Sequence, residues 1–198
     1  AQYAADGAVP VEPDLERVRG LAGRVLTGGF ATEQPFIRHD PDKVMVGEIR
    51  VPETADIAIR AALTGHLVFS TLHTNDAPGA VTRLMNMGIE PFLVASSVQG
   101  ILAQRLVRRL CPHCRKAVAA NPNLLNEFGM AEERAVEHVH QPNGCEMCRG
   151  RGYQGRVGVY ELLTMDEEIQ NLVLRRASSS EIRLSALRSM ETMKQDGF

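Results

Sequence analysis

From Asp40 onward the apolar positions fall into short runs and helical stripes. Residues 1–36 are instead rich in Gly, Pro and Ala and carry no strong period, with only Asp14–Leu26 patterned as a short helix. Lys43-Val-Met-Val46 predicts a short buried strand ending at Gly47-Glu48. Glu53–Leu63 predicts a helix, with Ile57, Ala58, Ala61 and Ala62 at helical spacing and Gly65 as its stop. The run His66-Leu-Val-Phe-Ser-Thr-Leu-His73 predicts a second buried strand. Asn75 or Asp76 then caps a further helix, with Pro78 near its first turn and Gly88 at its end. Ser96–Leu110 is patterned as a long helix, Arg156–Leu163 as a strand, and Asp166–Met193 as two helices separated by Ser178-Ser-Ser180. Strands alternating with helices predict an α/β domain with a largely parallel sheet.

Composition narrows this picture only slightly. The chain has 198 residues, enough for one good-sized domain or a domain with a small appendage. Trp is absent and aromatics make up 5%, so the core is expected to be aliphatic. A formal net charge of −2 argues against broad nucleic-acid binding. No apolar segment approaches the length needed to cross a bilayer. The first residues lack a basic stretch followed by an apolar run, so no signal peptide is expected.

The cysteines change the picture more. All four lie in two pairs, Cys111-Pro-His-Cys114 and Cys145-Glu-Met-Cys148. The spacing of each pair lets both thiolates grip one metal ion from a single tight turn, and together they supply the four soft ligands of a tetrahedral zinc site. Gly144, Gly150 and Gly152 suit turns of positive φ, and Pro112 helps fix the first turn. The alternatives are two disulfides or four free thiols. A reduced cytosolic setting favours zinc. With every ligand position filled by protein, the zinc is expected to be structural.

Two candidates for chemistry sit where the expected parallel strands end, the place where such sheets gather ligands. Glu48 follows Val44-Met-Val46, and His73 follows Leu67-Val-Phe69. A carboxylate there could orient a water or hold Mg²⁺ through its hydration shell, and a nearby His could sense a phosphate. Taken alone, a Glu after a strand is usually a solvated loop residue, and a lone His is usually satisfied locally.

The surrounding residues shift that balance. Val46-Gly-Glu-Ile-Arg50 with Glu53-Thr-Ala55 resembles the Walker B segment of the secretion ATPase superfamily, which drives type II secretion and type IV pilus assembly. Thr64-Gly-His-Leu-Val-Phe-Ser-Thr-Leu-His-Thr-Asn-Asp76 resembles that family's His box. Leu102-Ala-Gln-Arg-Leu-Val-Arg-Arg-Leu-Cys-Pro-His-Cys114, and later Cys145–Glu161, resemble its tetracysteine subdomain and following strand. The resemblance implies a partial RecA-like P-loop NTPase core over residues 38–110 and a tetracysteine zinc subdomain over 111–155. It further implies a C-terminal strand and helices over 156–198, with residues 1–37 unassigned. By the same resemblance Glu48 positions the attacking water and His73 lies near the γ-phosphate, with His66 opening its strand. Arg50 matches the arginine of the Walker B words, Arg38 the arginine before the Asp-Pro-Asp segment, and Arg156 a basic residue reaching phosphates across a subunit interface. For these arginines, surface salt bridging is the plainer alternative.

Departures from the family pattern are as specific. No Gly-x-x-x-x-Gly-Lys-Ser/Thr occurs, so the phosphate-cradling loop and its lysine are missing. The acidic box is not recognisable, Gln34-Pro35 stands where a second arginine is usual, and Val51 stands where an Asp is common. A C-terminal fragment or degenerate product of a larger ATPase is therefore expected, inactive alone. ATP and Mg²⁺ belong to the complete protein. The resemblance also implies a cytoplasmic hexamer, peripheral at the inner membrane and docked on inner-membrane platform proteins. Glu90-Pro-Phe-Leu-Val-Ala-Ser-Ser97 and Gly158-Val-Tyr-Glu-Leu162 lean toward type II secretion over pilus assembly or competence. A different class is a non-catalytic zinc-ribbon module, since Cys145-x-x-Cys148-x-Gly150-x-Gly152 also resembles one unit of chaperone zinc domains.

Overall fold

The computed structural model describes residues 26–27, 42–121 and 138–197. The expected helix at Asp14–Leu26 lies outside the described residues, except that Leu26 opens a two-residue strand. The described elements are β1 (Leu26–Thr27), β2 (Lys43–Val46), α1 (Pro52–Leu63), β3 (Leu67–Ser70), α2 (Ala77–Asn86), α3 (Pro91–Ser97), β4 (Gly100–Leu110), β5 (Lys116–Ala119), β6 (His138–Gln141), β7 (Tyr153–Thr164), α4 (Glu167–Leu174), α5 (Ser179–Ala186) and α6 (Met193–Asp196). A 3₁₀ turn covers Glu146–Cys148. Among the described residues no helix is long and apolar enough to cross a membrane. The chain divides into two compact units, one built around residues 14–102 and 162–190, the other around 103–161 and 191–198.

In the first unit β1, β2 and β3 form a parallel sheet in that order. The β2 and β3 register pairs Lys43 with Leu67 and Val46 with Ser70, so both strands end level at their carboxyl ends. Val44 and Val46 are buried while Met45 is exposed, so β2 buries one face rather than both. Leu67, Val68 and Phe69 are only half-buried and Ser70 is exposed, against the expectation of a buried strand. Among the described residues β3 has a strand neighbour on one side only, which leaves it less covered.

The helices of this unit start and stop where their sequence dictates. Pro at the first helical position opens α1 and α3, where its missing N–H costs nothing. Asp76 caps α2, its Oδ1 accepting from Gly79 N at 2.7 Å. Gly65 and Gly88 follow α1 and α2 at φ of 100° and 89°, a left-handed turn that suits glycine. The α1 helix packs on β3 and α3, α2 on α3 and α5, and α4 on α3 and α5. Their contacts bury Ala55, Ile59, Val81, Val94, Ile169, Val173 and Ile182. No Phe or Tyr belongs to the buried core of the described residues, so it is aliphatic as composition implied.

The largest departure from expectation is at Ser96–Leu110. The helix ends at Ser97, whose hydroxyl turns back to donate to Leu93 O at 2.6 Å, and Gly100–Leu110 is a strand. Leu102, Leu106 and Leu110 recur every four residues, as a helix stripe would. Half-buried Ile101 and Ala103 nevertheless alternate with exposed Leu102 and Gln104, the period of a strand. Pairing with β7 prevails. Gln104 Nε2 donates to Tyr160 Oη at 3.2 Å and Arg109 Nε to Gln154 O at 3.3 Å, so partners descend as positions rise, as in an antiparallel pair. The expected strand at Arg156–Leu163 accordingly extends to Tyr153–Thr164.

Two helices occupy the expected stretch after Asp166, broken by Arg176 at φ 55°. Ser178 then restarts the chain with a reciprocal cap: its hydroxyl accepts from Glu181 N, and Glu181 Oε2 accepts from Ser178 N at 2.8 Å. These bonds favour the ionised carboxylate and hold Glu181 below the usual carboxylate range. Ser178→Ala is expected to lower stability by about 1 kcal/mol. A fall in the urea midpoint with unchanged slope would bear this out, and an unchanged midpoint would remove the cap from the account.

Candidate functional sites: a carboxylate between two strand ends and a four-sulfur cluster

The level carboxyl ends of β2 and β3 place the Gly47–Arg50 turn beside the Thr71–Thr74 loop. Two hydrogen bonds stitch them: Ile49 N donates to Thr71 O at 2.9 Å, and Thr71 Oγ1 donates to Gly47 O at 2.7 Å. Across this stitch His73 Nε2 lies 2.6 Å from Glu48 Oε1. On the other side Arg50 directs Nε and Nη2 to Glu48 Oε2, each at 2.6 Å. Glu48 is the sheltered member, 23% exposed at its side chain against 86% for His73 and 74% for Arg50. Its Oε1 is shielded from solvent and receives no aligned hydrogen bond despite the nearby imidazole. A carboxylate held at the carboxyl ends of two parallel strands is suited to orient a water or to meet the hydration shell of a magnesium ion.

Beyond His73, Asp76 anchors the loop twice, capping α2 and accepting from Arg183 Nη2 at 2.7 Å through Oδ2. This pair ties the loop to α5. No sequence signal indicated it, because the partners are far apart in the chain.

Within this unit His66 stands apart from His73. His66 precedes Leu67, at the amino end of β3, whereas His73 follows its carboxyl end; the strand alone separates them by about 10 Å. Arg38 lies outside the described residues. Arg156 is exposed on β7, in the other unit.

In that second unit the four cysteine sulfurs converge. Cys111 and Cys145 Sγ are 3.9 Å apart, Cys114 and Cys148 3.8 Å, and Cys145 and Cys148 3.8 Å, all four lying within 4.8 Å of one another. Disulfide sulfurs would stand about 2.05 Å apart. Four sulfurs at about 2.3 Å from a central zinc, tetrahedrally disposed, would be separated by about 3.8 Å. The cysteines are therefore free, and they are spaced to hold a metal ion.

Local backbone makes this possible. In the first pair Cys114 N and Arg115 N both turn back onto Cys111 O, and Cys111 N is anchored on Gly152 O at 2.9 Å. In the second, Gly150 N donates to Cys145 O, and Arg149, Gly150 and Gly152 all carry positive φ. A Cβ at Gly144 would meet Gly150 O at 2.8 Å, and one at Gly152 would meet Pro142 Cβ at 2.5 Å. Only glycine fits there.

The thiols are electrically unequal. Burial pushes Cys148 up, but the backbone N–H groups of Cys145 and Gly152 donate to its sulfur and pull it down to about 6. Burial pushes Cys114 up to about 11, helped by hydrogen bonding to the neighbouring sulfurs and opposed by the Gly144 backbone. The backbone donors thus favour negative charge on Cys148, and burial disfavours it on Cys114.

With this geometry in place, the likeness to known proteins is direct. Residues 31–198 match the family described as "Type II/IV secretion system protein". The type IV pilus assembly ATPase PilB of Thermus thermophilus is 49% identical over 165 residues, which cover 82% of this chain and 19% of that protein. The type II secretion system protein E of Pseudomonas aeruginosa is 49% identical over 162 residues, covering 82% and 32%. The chain thus spans about a fifth to a third of the length of these relatives. Among solved structures, the pilus retraction motor PilT with bound ADP superposes with a TM-score of 0.54 at 28% identity, over 83% of this chain and 36% of that one. The expected α/β core is the fold of these motors.

Metal analysis of the purified chain is expected to give one metal per chain, with an all-sulfur shell by X-ray absorption. Cys111→Ser should abolish retention; retention by that variant would exclude the cluster. Without metal, Cys148 is depressed from the ordinary 9.0, so its contribution to stability is full above that value and is lost as pH falls through about 6. Cys114 is raised from 9.0, so its contribution is full below that value and is lost as pH rises through about 11. The metal-free protein should therefore show its highest denaturation midpoint near pH 9, declining on both sides; a midpoint that climbs steadily from about pH 6 to about 11 would contradict the opposed shifts of the two thiols.

Proposed function

The chain belongs to the type II/IV secretion system protein family, and on that premise we propose that it is the C-terminal part of a cytoplasmic ATPase that couples ATP hydrolysis to type II protein secretion. In this reading the whole protein is a hexamer, peripheral at the inner membrane and working against platform proteins there. One observation carries the reading: a sheltered glutamate held between His73 and Arg50 at the carboxyl ends of two parallel strands.

Glu48 orients the attacking water with its carboxylate at the ends of the two strands. His73, solvent-exposed beside it, faces the terminal phosphate and registers its presence. Arg50 neutralises the second carboxylate oxygen until charge develops elsewhere. Arg38 and Arg156 reach phosphates, Arg156 from a neighbouring subunit, and His66 supports the strand from its far end. Mg²⁺ and ATP, when bound, supply the electrophilic phosphorus and the charge that draws these groups together. Cys111, Cys114, Cys145 and Cys148 hold a structural Zn²⁺, which supplies a crosslink rather than chemistry.

The phosphate-gripping backbone and lysine of a Gly-x-x-x-x-Gly-Lys-Ser/Thr loop do not occur in this sequence, so the chain alone binds ATP poorly. A second reading, pilus assembly, is supported by equal identity to a relative named for that role.

Titration calorimetry of the chain with MgATP is expected to show no saturable binding. Tight binding would mean that the nucleotide is held somewhere other than the β2–β3 edge. Joined in one chain to a phosphate-binding loop, Glu48→Gln should reduce kcat by about 10²-fold or more; unchanged turnover would end the hydrolytic reading of Glu48.

A further inference from the structure

Glu48 acts at a distance set by the peptide that carries it, and one residue brackets that peptide from both sides. Thr71 Oγ1 donates to Gly47 O at 2.7 Å, immediately before Glu48, and Thr71 O accepts from Ile49 N at 2.9 Å, immediately after it. The second bond uses backbone atoms that any residue supplies. The first needs a hydroxyl. Without it the Gly47–Glu48 peptide would be free to rotate, and Gly47, with no side chain and nothing within 4 Å of a would-be Cβ, offers no resistance of its own. Peptide rotation there swings the Glu48 Cα–Cβ bond, and with it the carboxylate now aimed between His73 and Arg50.

We propose that Thr71 is the positioning residue of the site, its hydroxyl clipping the Gly47–Glu48 peptide so that the Glu48 carboxylate stays aimed at the place of attack. The inference rests on the proposed hydrolytic reading of Glu48 but makes a separate structural claim. Thr71 touches no reacting atom. It is exposed and outside the apolar core, so its value is not packing. Its side chain must reach Gly47 O from the end of β3, which the Val46 to Ser70 register permits.

Thr71→Val keeps the shape and loses the hydroxyl, while Thr71→Ser keeps the hydroxyl. In the chain, the Gly47 carbonyl-carbon and Glu48 amide resonances are expected to move in Thr71→Val and return in Thr71→Ser, with those of α5 unchanged in both. Resonances that stay put in Thr71→Val, or move equally in both variants, overturn the clip. Should Thr71→Val not fold, Thr71→Ala carries the same comparison. Where the sequence is joined to a phosphate-binding loop, Thr71→Val is expected to lower kcat about 10- to 10²-fold at unchanged KM, with recovery in Thr71→Ser. Equal loss in both variants overturns the role. If Glu48→Gln leaves turnover intact while the resonances behave as expected, the hydrolytic reading fails and the clip survives.

Discussion

The parallel register of β2 and β3 is the constraint on which the carboxylate site depends. With Val46 opposite Ser70, the chain leaving each strand has only two or three residues in which to diverge, and Glu48 and His73 meet across that gap. A slip of one residue would turn Val44 and Val46 outward and Met45 inward, reversing the burial of β2. The apolar face therefore protects the register, and the register protects the site. The stitch through Thr71 continues the ladder one step past the strands. Asp76 and Arg183 extend the same order into α2 and α5.

The unit built around residues 103–161 is held differently. Among the described residues its buried apolar side chains are few: Leu110, Val139 and Val159, with Cys111 and Cys148 themselves. Such a small core contributes little against chain entropy. A metal closing the long loop between the cysteine pairs would supply what the core lacks. The two units thus answer different physical problems, one by aliphatic helix packing and the other by convergence of four sulfurs on glycine-permitted turns.

Much of this was legible in the residues. Caps and stops are local, so Asp76, Gly65 and Gly88 marked the helices near them. The cysteine spacing announced its cluster because two residues between ligands leave few geometries. Glu48 and His73 were legible through the words around them rather than through spacing. The stretch after Ser97 was not, since Leu102, Leu106 and Leu110 satisfy a helix period and the ladder partner that decides otherwise lies more than forty residues on. Thr71 and the Asp76–Arg183 pair were hidden for the same reason: each acquires its role only from register and packing between distant segments.

Assembly tests most directly whether the chain is a motor subunit or a free-standing zinc module. Sedimentation of the chain mixed with a full-length family member, with and without MgATP, would decide it. A motor subunit is predicted to enter the rings in a nucleotide-dependent way. A chain that sediments alone in every nucleotide state would contradict the account.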